Sequence, residues 1–133
     1  MSTKKNEGAA SSTPAGKPVE VWGIMTCNST RKALKFYEAA NVPHTFKDLK
    51  KVSPPKSLLR DTLKAIDSPK KLFNTSGKSY QDGAYKDRIA GMSKDDIVEA
   101  MVQDPMLIKR PLVKGAGGIT VGYDEAKLAA VVK

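Results

Sequence analysis

VEVWGIMTCNSTRKALKFYEAANVPHTFKDL, residues 19–49, is the stretch that decides the fold. It opens with Val19, Val21 and Ile24, with Glu20 and Trp22 between them, and this alternation predicts a strand over VEVWGI. A short polar turn, MTCNST, follows. From about Ser29 the spacing becomes helical, because Ala33, Leu34, Tyr37 and Ala40 fall on one face. Asn28 or Ser29 offers a side-chain oxygen as the cap of that helix. Asn41 is a stop signal, and Pro43 opens a second strand, HTFKDL. Strand, helix and strand in this order predict a parallel pair joined by a helical crossover.

The same signals extend outward. Pro54 and Pro55 suit the first turn of a helix whose buried face is Leu59, Leu63 and Ile66. Residues 67–83 read mostly as loop, with a short helix within Tyr80–Ile89. Ser93 is a good cap, with Asp95 and Asp96 placed where the helix dipole favours negative charge, and Ile97, Ala100 and Met101 form the apolar stripe. Pro105 ends that helix. Two strands, around Leu107–Val113 and Ile119–Gly122, then flank a glycine-rich turn and read as a hairpin. That turn, Gly115-Ala116-Gly117-Gly118, has no phosphate-loop spacing and does not lead from a strand into a helix. Asp124 caps a last helix that buries Leu128, Val131 and Val132. The order predicts an α/β domain with a mixed four-stranded sheet.

With 133 residues the chain is the size of one domain. Residues 1–17 are rich in Ser, Ala, Gly and Thr with little to bury, and are expected to be a disordered tail ahead of a domain over residues 18–133. The tail has no apolar stretch, so it does not read as an export signal. No run approaches the ~20 apolar residues of a membrane span. The single cysteine excludes an internal disulfide, and a cytoplasmic location is expected. A net charge of +9 attracts anions, but the lysines are spread along the chain and no aromatic stacking pattern accompanies them. Nucleic-acid binding is therefore not expected.

Cys27 stands between the first strand and the first helix. The first amides of a helix lack internal partners and carry partial positive charge, so a thiolate there is stabilised below the ~8.5 of a free thiol. The same amides, from Asn28, Ser29 and Thr30, can receive an oxyanion. Arg31 is placed to add charge one turn above the sulfur. A lone cysteine in a small domain can also be an inert core residue, but the flanks Thr26, Asn28, Ser29 and Thr30 are polar. His44, the one histidine, falls at the wrong end of the second strand for a Cys–His pair. One Cys and one His cannot build a structural zinc site, and no metal is expected.

Five segments carry a resemblance: TCNSTRKAL (26–34), NVPHTFKDLKK (41–51), LFNTSGKSY (72–80), MSKDDIVEAMVQDPMLIKRPLV (92–113) and GGITVGYDE (117–125). Together they resemble the glutaredoxin-coupled arsenate reductases of the thioredoxin fold, a branch that includes the Spx-like regulators. The resemblance implies a thioredoxin-like sheet with a helical segment inserted before the final hairpin. It implies that Cys27 is the nucleophile, that Arg110 contacts the oxyanion or a carboxylate of glutathione, and that Pro111 is the cis-proline facing the sulfur. Two further arginines of the family pattern are missing: Asn74 stands in the loop before the G-x-x-Y segment, and there is none near Gly122. The C-x-x-C switch of the Spx-like regulators is also missing, since Thr30 holds its second position.

These residues predict a single-cysteine reductase acting on an arsenate-like oxyanion or a mixed disulfide. No cofactor is expected to be tightly bound; glutathione is the expected co-substrate, with a small thiol or glutaredoxin as partner. A monomer is expected. The competing expectation is a non-catalytic thioredoxin-fold module that docks a protein partner.

Overall fold

The computed structural model describes residues 18–133. The tail expected over residues 1–17 lies outside them. Strand β1 (Val19–Gly23), helix α1 (Asn28–Ala39) and strand β2 (His44–Asp48) form the predicted crossover. β1 and β2 are parallel, with Val19 opposite His44 and Gly23 opposite Asp48. The chain then builds α2 (Lys56–Ala65), α3 (Lys78–Asp82), α4 (Tyr85–Arg88) and α5 (Lys94–Gln103), with single 3-10 turns at Pro69–Leu72, Ile89–Gly91 and Pro105–Leu107. Strands β3 (Leu112–Gly115) and β4 (Gly118–Val121) form the hairpin, and α6 (Glu125–Ala130) closes the chain. The sheet order is β2-β1-β3-β4, and every pair except β1–β2 is antiparallel. This is the mixed four-stranded sheet of a thioredoxin-like fold, with the helical segment inserted between β2 and the hairpin.

β1 lies inside the sheet and is covered on both faces, so its two-residue period sorts side chains into two cores. Val19 and Val21 pack with Ala33 and Tyr37 of α1, Val113, Leu128 and Val131. Trp22 packs on the other face with Leu59 and Leu63 of α2, and with Ile97 and Met101 of α5. The predicted caps of α5 and α6 are present. Ser93 and Asp96 exchange side-chain-to-amide bonds of 3.0 Å in a reciprocal box, and Asp124 accepts from the amides of Ala126 and Lys127. Asn41, at φ 57°, is the left-handed residue that ends α1.

Several boundaries differ from the sequence expectation. The N-cap of α1 is Cys27, not Asn28 or Ser29, and no side chain caps it. Pro55 caps α2 from outside rather than entering its first turn. The stretch expected as loop over 67–83 contains one 3-10 turn and α3. β3 starts at Leu112 rather than Leu107. Leu107 ends a 3-10 turn, and Ile108 makes an isolated bridge to Phe73 instead of joining the sheet. Pro111 has no amide hydrogen to give a ladder, so regular pairing begins after it. Ala40 is exposed, while Leu34, Ile66 and Val132 are only half-buried.

Tyr37 ties α1 to α6: its hydroxyl, fully buried, donates to the Leu128 carbonyl at 2.8 Å. Burial pushes its pKa up to about 12. Because the folded value lies above the ~10 of an unfolded tyrosine, this group's stability contribution is complete below pH ~10 and is lost as pH rises through about 12. Replacing Tyr37 by Phe should cost about 1 kcal/mol at neutral pH and flatten the fall in stability across that alkaline window. Urea unfolding at a series of pH values checks both; an unchanged alkaline slope would contradict the assignment to Tyr37.

Candidate functional site

The β1–β3 register places the site. Trp22 of β1 pairs with Leu112 of β3, so the loop leaving β1 and the segment entering β3 emerge at the same end of the sheet. The first carries Cys27 and the second Arg110 and Pro111.

Cys27 has extended backbone, φ −90° and ψ 122°. Its amide donates to Ile24 O at 3.1 Å, and its carbonyl accepts the first helical bond from Arg31 N at 3.1 Å. The side chain is half-buried. A cysteine is a poor cap, so the amides of the first turn remain free to face the sulfur. Partial burial pushes the Cys27 thiol up. The Thr30 amide and hydroxyl, the Arg110 guanidinium and the Ser29 amide lie around the sulfur and favour its thiolate by more than that burial opposes it, so the thiol lies below its ordinary value.

Thr30 and Arg110 are suited to this by what they lack elsewhere. Thr30 is wholly buried and its hydroxyl is left without a hydrogen-bond partner, close enough to the Cys27 sulfur to favour a negative charge there. It sits against Gly23, where an added Cβ would fall 2.3 Å from Thr30 Oγ1. A glycine at the end of β1 is what lets the hydroxyl occupy this place. Arg110 Nε is likewise buried without a partner. Its Nη1 lies 3.5 Å from the Met106 carbonyl oxygen and 3.8 Å from the Met106 sulfur, contacts that hold the guanidinium loosely.

The predicted residues therefore separate into two groups. Ser29, Thr30 and Arg110 are the residues that favour the thiolate of Cys27. Pro111 is buried beside them, joined to Arg110 by a cis peptide bond. Asn28 and Arg31 do not join this cluster. Arg31, expected to add charge above the sulfur, is exposed and turns back along the loop, donating to the Met25 carbonyl at 2.6 Å and to Asn28 Oδ1. The Asn28 carboxamide and the loop carbonyl are the acceptors within its reach. His44 is at the far end of the sheet, its Nδ1 2.7 Å from the Val42 carbonyl oxygen.

Asn74 lies beside the segment leading to Arg110, its amide donating to Leu107 O at 2.7 Å. Gly122 has φ +89°, a region that favours glycine, and its amide donates to Pro111 O at 2.8 Å. Sequence reasoning missed two contributors. Met106 touches the Arg110 guanidinium from four residues upstream, and Gly23 makes room for Thr30. The only signal for Gly23 was a glycine inside an otherwise apolar strand. Among the described residues no group of three His, Cys, Asp or Glu side chains could hold a metal, and no helix is long and apolar enough to cross a membrane.

The profile of the ArsC family matches residues 22–131. The chain belongs to the ArsC family. A Bacillus subtilis relative, YusI, described as uncharacterized, is 34% identical over 108 residues, covering 74% of this chain and 85% of YusI. A solved structure described as a possible arsenate reductase from Streptococcus mutans is 34% identical, with a TM-score of 0.74, covering 79% of this chain and 90% of that one. An arsenate reductase from Vibrio cholerae superposes with a TM-score of 0.74 over 86% of this chain and 98% of its own, at 20% identity, a likeness of fold alone. As an ArsC family member this chain is, in general class, a thiol-dependent reductase.

The Thr30 hydroxyl gives this ArsC-type site its first test. Thr30→Val keeps the shape and removes the donor, so the Cys27 pKa should rise. Iodoacetamide alkylation against pH reads this directly. The wild-type midpoint is expected below the ~8.5 of a free thiol and that of the valine variant above wild type. Identical profiles would remove Thr30 from the site.

Proposed function

We propose that this ArsC family member is a single-cysteine reductase that takes its electrons from glutathione, directly or through glutaredoxin, and reduces a mixed disulfide or an arsenate-like oxyanion. The observation that carries the reading is the half-buried Cys27 sulfur at the start of α1, with Ser29, Thr30 and Arg110 around it favouring its thiolate. For a disulfide, the Cys27 thiolate attacks one sulfur, forming a new S–S bond to Cys27. The original S–S bond breaks, and the leaving sulfur departs as a thiolate that takes a proton from solvent. The chain has no second cysteine to resolve this intermediate. An external glutathione thiolate does so, releasing Cys27 and forming glutathione mixed disulfide, which glutathione or glutaredoxin reduces in turn.

Arg110 serves two acts. It holds charge on Cys27 before attack, and it is the guanidinium available to a carboxylate of glutathione or an oxygen of an oxyanion. Asn74 and Gly122, where the family pattern has arginines, offer no cation. The disulfide therefore fits this site better than arsenate does. The competing reading, a protein-binding module without catalysis, does not account for a thiol lowered in pKa and open to solvent.

Glutathione–disulfide exchange and arsenate reduction, each with and without glutaredoxin, form the test. Cys27→Ser should abolish both while leaving the unfolding midpoint near wild type, and a residual rate like that of wild type would refute the mechanism. Arg110→Ala should raise the Cys27 pKa and slow exchange by about tenfold or more, the value of one charge-assisted hydrogen bond. Asn74→Arg should strengthen arsenate inhibition of exchange; no gain would show that position 74 does not face the oxyanion.

A further inference from the structure

A cavity of about 720 Å³ opens along β4 at the outer edge of the sheet. One wall is the strand itself, and the others come from the end of α2, the 3-10 turn at Pro69–Leu72, and α6. Cys27 and Arg110 are not among its lining residues.

The hydrogen-bond phase of the hairpin shows what β4 presents there. Gly122 N donates to Pro111 O. In an antiparallel pair bonded and non-bonded positions alternate, so Thr120–Val113 and Gly118–Gly115 are the next bonded pairs and Ile119 and Val121 face outward. The N–H and C=O groups of Ile119 and Val121 thus point into the cavity, and among the described residues no strand takes them. The strand, GITV, contains no proline and no charge that would block pairing. Lys71, Lys109 and Lys127 surround it, against a single carboxylate, Asp67. Asp67 is already tied to Lys71 at 3.0 Å. Lys109 and Lys127 form no ion pair among the described residues.

We propose that the outer edge of β4 is the docking site for an extended, acidic segment of a partner protein, which adds to the sheet as a fifth strand. The free ladder groups of Ile119 and Val121 give the backbone pairing, and the lysine rim selects carboxylate side chains on the added strand. Charge decides among occupants. A second copy pairing β4 against β4 would set the same lysines against each other. Residues 1–17 carry Lys4, Lys5 and Lys17 against Glu7, so they too are basic. This inference is independent of the chemistry at Cys27.

The test uses the full chain and a fluorescent synthetic peptide of alternating valine and glutamate. Its companions are the same peptide with glutamine for glutamate, and one N-methylated at alternate backbone amides. Binding is read by anisotropy, and amide hydrogen exchange is followed at Ile119 and Val121. The acidic peptide should bind and slow exchange at both amides. Lys109→Gln with Lys127→Gln should weaken it about tenfold, the worth of two exposed ion pairs. The glutamine and N-methylated peptides should bind more weakly still. Equal binding of the N-methylated peptide, with no protection of Ile119 or Val121, would reduce the effect to the bulk charge of the chain and overturn the proposal. Protection at those amides without peptide, rising with protein concentration, would assign the edge to self-association and overturn it as well. So would the absence of any binding by the acidic peptide.

Discussion

The antiparallel register between β1 and β3 is the constraint on which the site rests. Trp22 opposite Leu112 fixes the relative height of two strand ends. Cys27 and Arg110 are 83 positions apart in sequence, yet they meet because one follows the end of β1 and the other precedes the start of β3. Val21, Leu112 and Val113 have no exposed surface, and with a core on each face a one-residue slip would send each set of side chains into the wrong core and break the packing of both at once. The sheet core is thus the positioning device of the chemistry. Damage to Val21 or Val113 would be felt at the sulfur without touching it.

Local stability is given up where this device ends. α5 and α6 both begin on side-chain caps, Ser93 with Asp96 and Asp124, each worth about 1 kcal/mol to its helix. α1 begins on Cys27 with no side-chain cap. A serine or aspartate there would occupy the first-turn amides with its own oxygen. With cysteine, those amides face a sulfur whose charge they stabilise. The weakest cap among these three helices is the one that carries function, a local rule broken at a functional site and compensated by packing elsewhere. The buried contact of Gly23 with Thr30 belongs to the same arrangement, since any larger residue at the end of β1 would displace the hydroxyl from the sulfur.

The sequence made the crossover legible because periodicity changes sharply at Cys27, from alternation in VEVWGI to helical spacing after Ser29. Ser93 and Asp124 were readable because each cap is a local interaction within three residues. The start of β3 was not. Leu107 and Ile108 look like strand residues, but they are recruited by Phe73 and Asn74, more than thirty positions upstream in the chain, through the Phe73–Ile108 bridge and the Asn74 N–H to Leu107 O bond. The helix α3 was hidden among polar residues for a similar reason: the one residue it buries is Tyr80, which packs against Phe73 and Tyr85. At the site, chain position gave Cys27 and the family resemblance gave Arg110 and Pro111. Where Arg31 turns depended on a side-chain competition, and Asn28 with the Met25 carbonyl outbids the sulfur in a way no spacing rule foretells.

Charge bookkeeping at Cys27 bears on substrate class. Bringing a thiolate to about 4 Å from one further negative charge costs about 4 kcal/mol at the effective dielectric of a protein surface site. A guanidinium at similar distances to both offsets that, but Arg110 is the one guanidinium among the groups that favour the thiolate. An oxyanion bearing more than one charge would leave repulsion uncompensated, with Asn74 and Gly122 able to supply only dipoles. A disulfide is neutral at its reacting sulfur. Attack on it transfers the charge from Cys27 to the leaving sulfur, so the total charge at the site never rises. One guanidinium and a turn of amides are sufficient for that displacement, and each of them loses little as the charge moves away from Cys27 along the S–S axis.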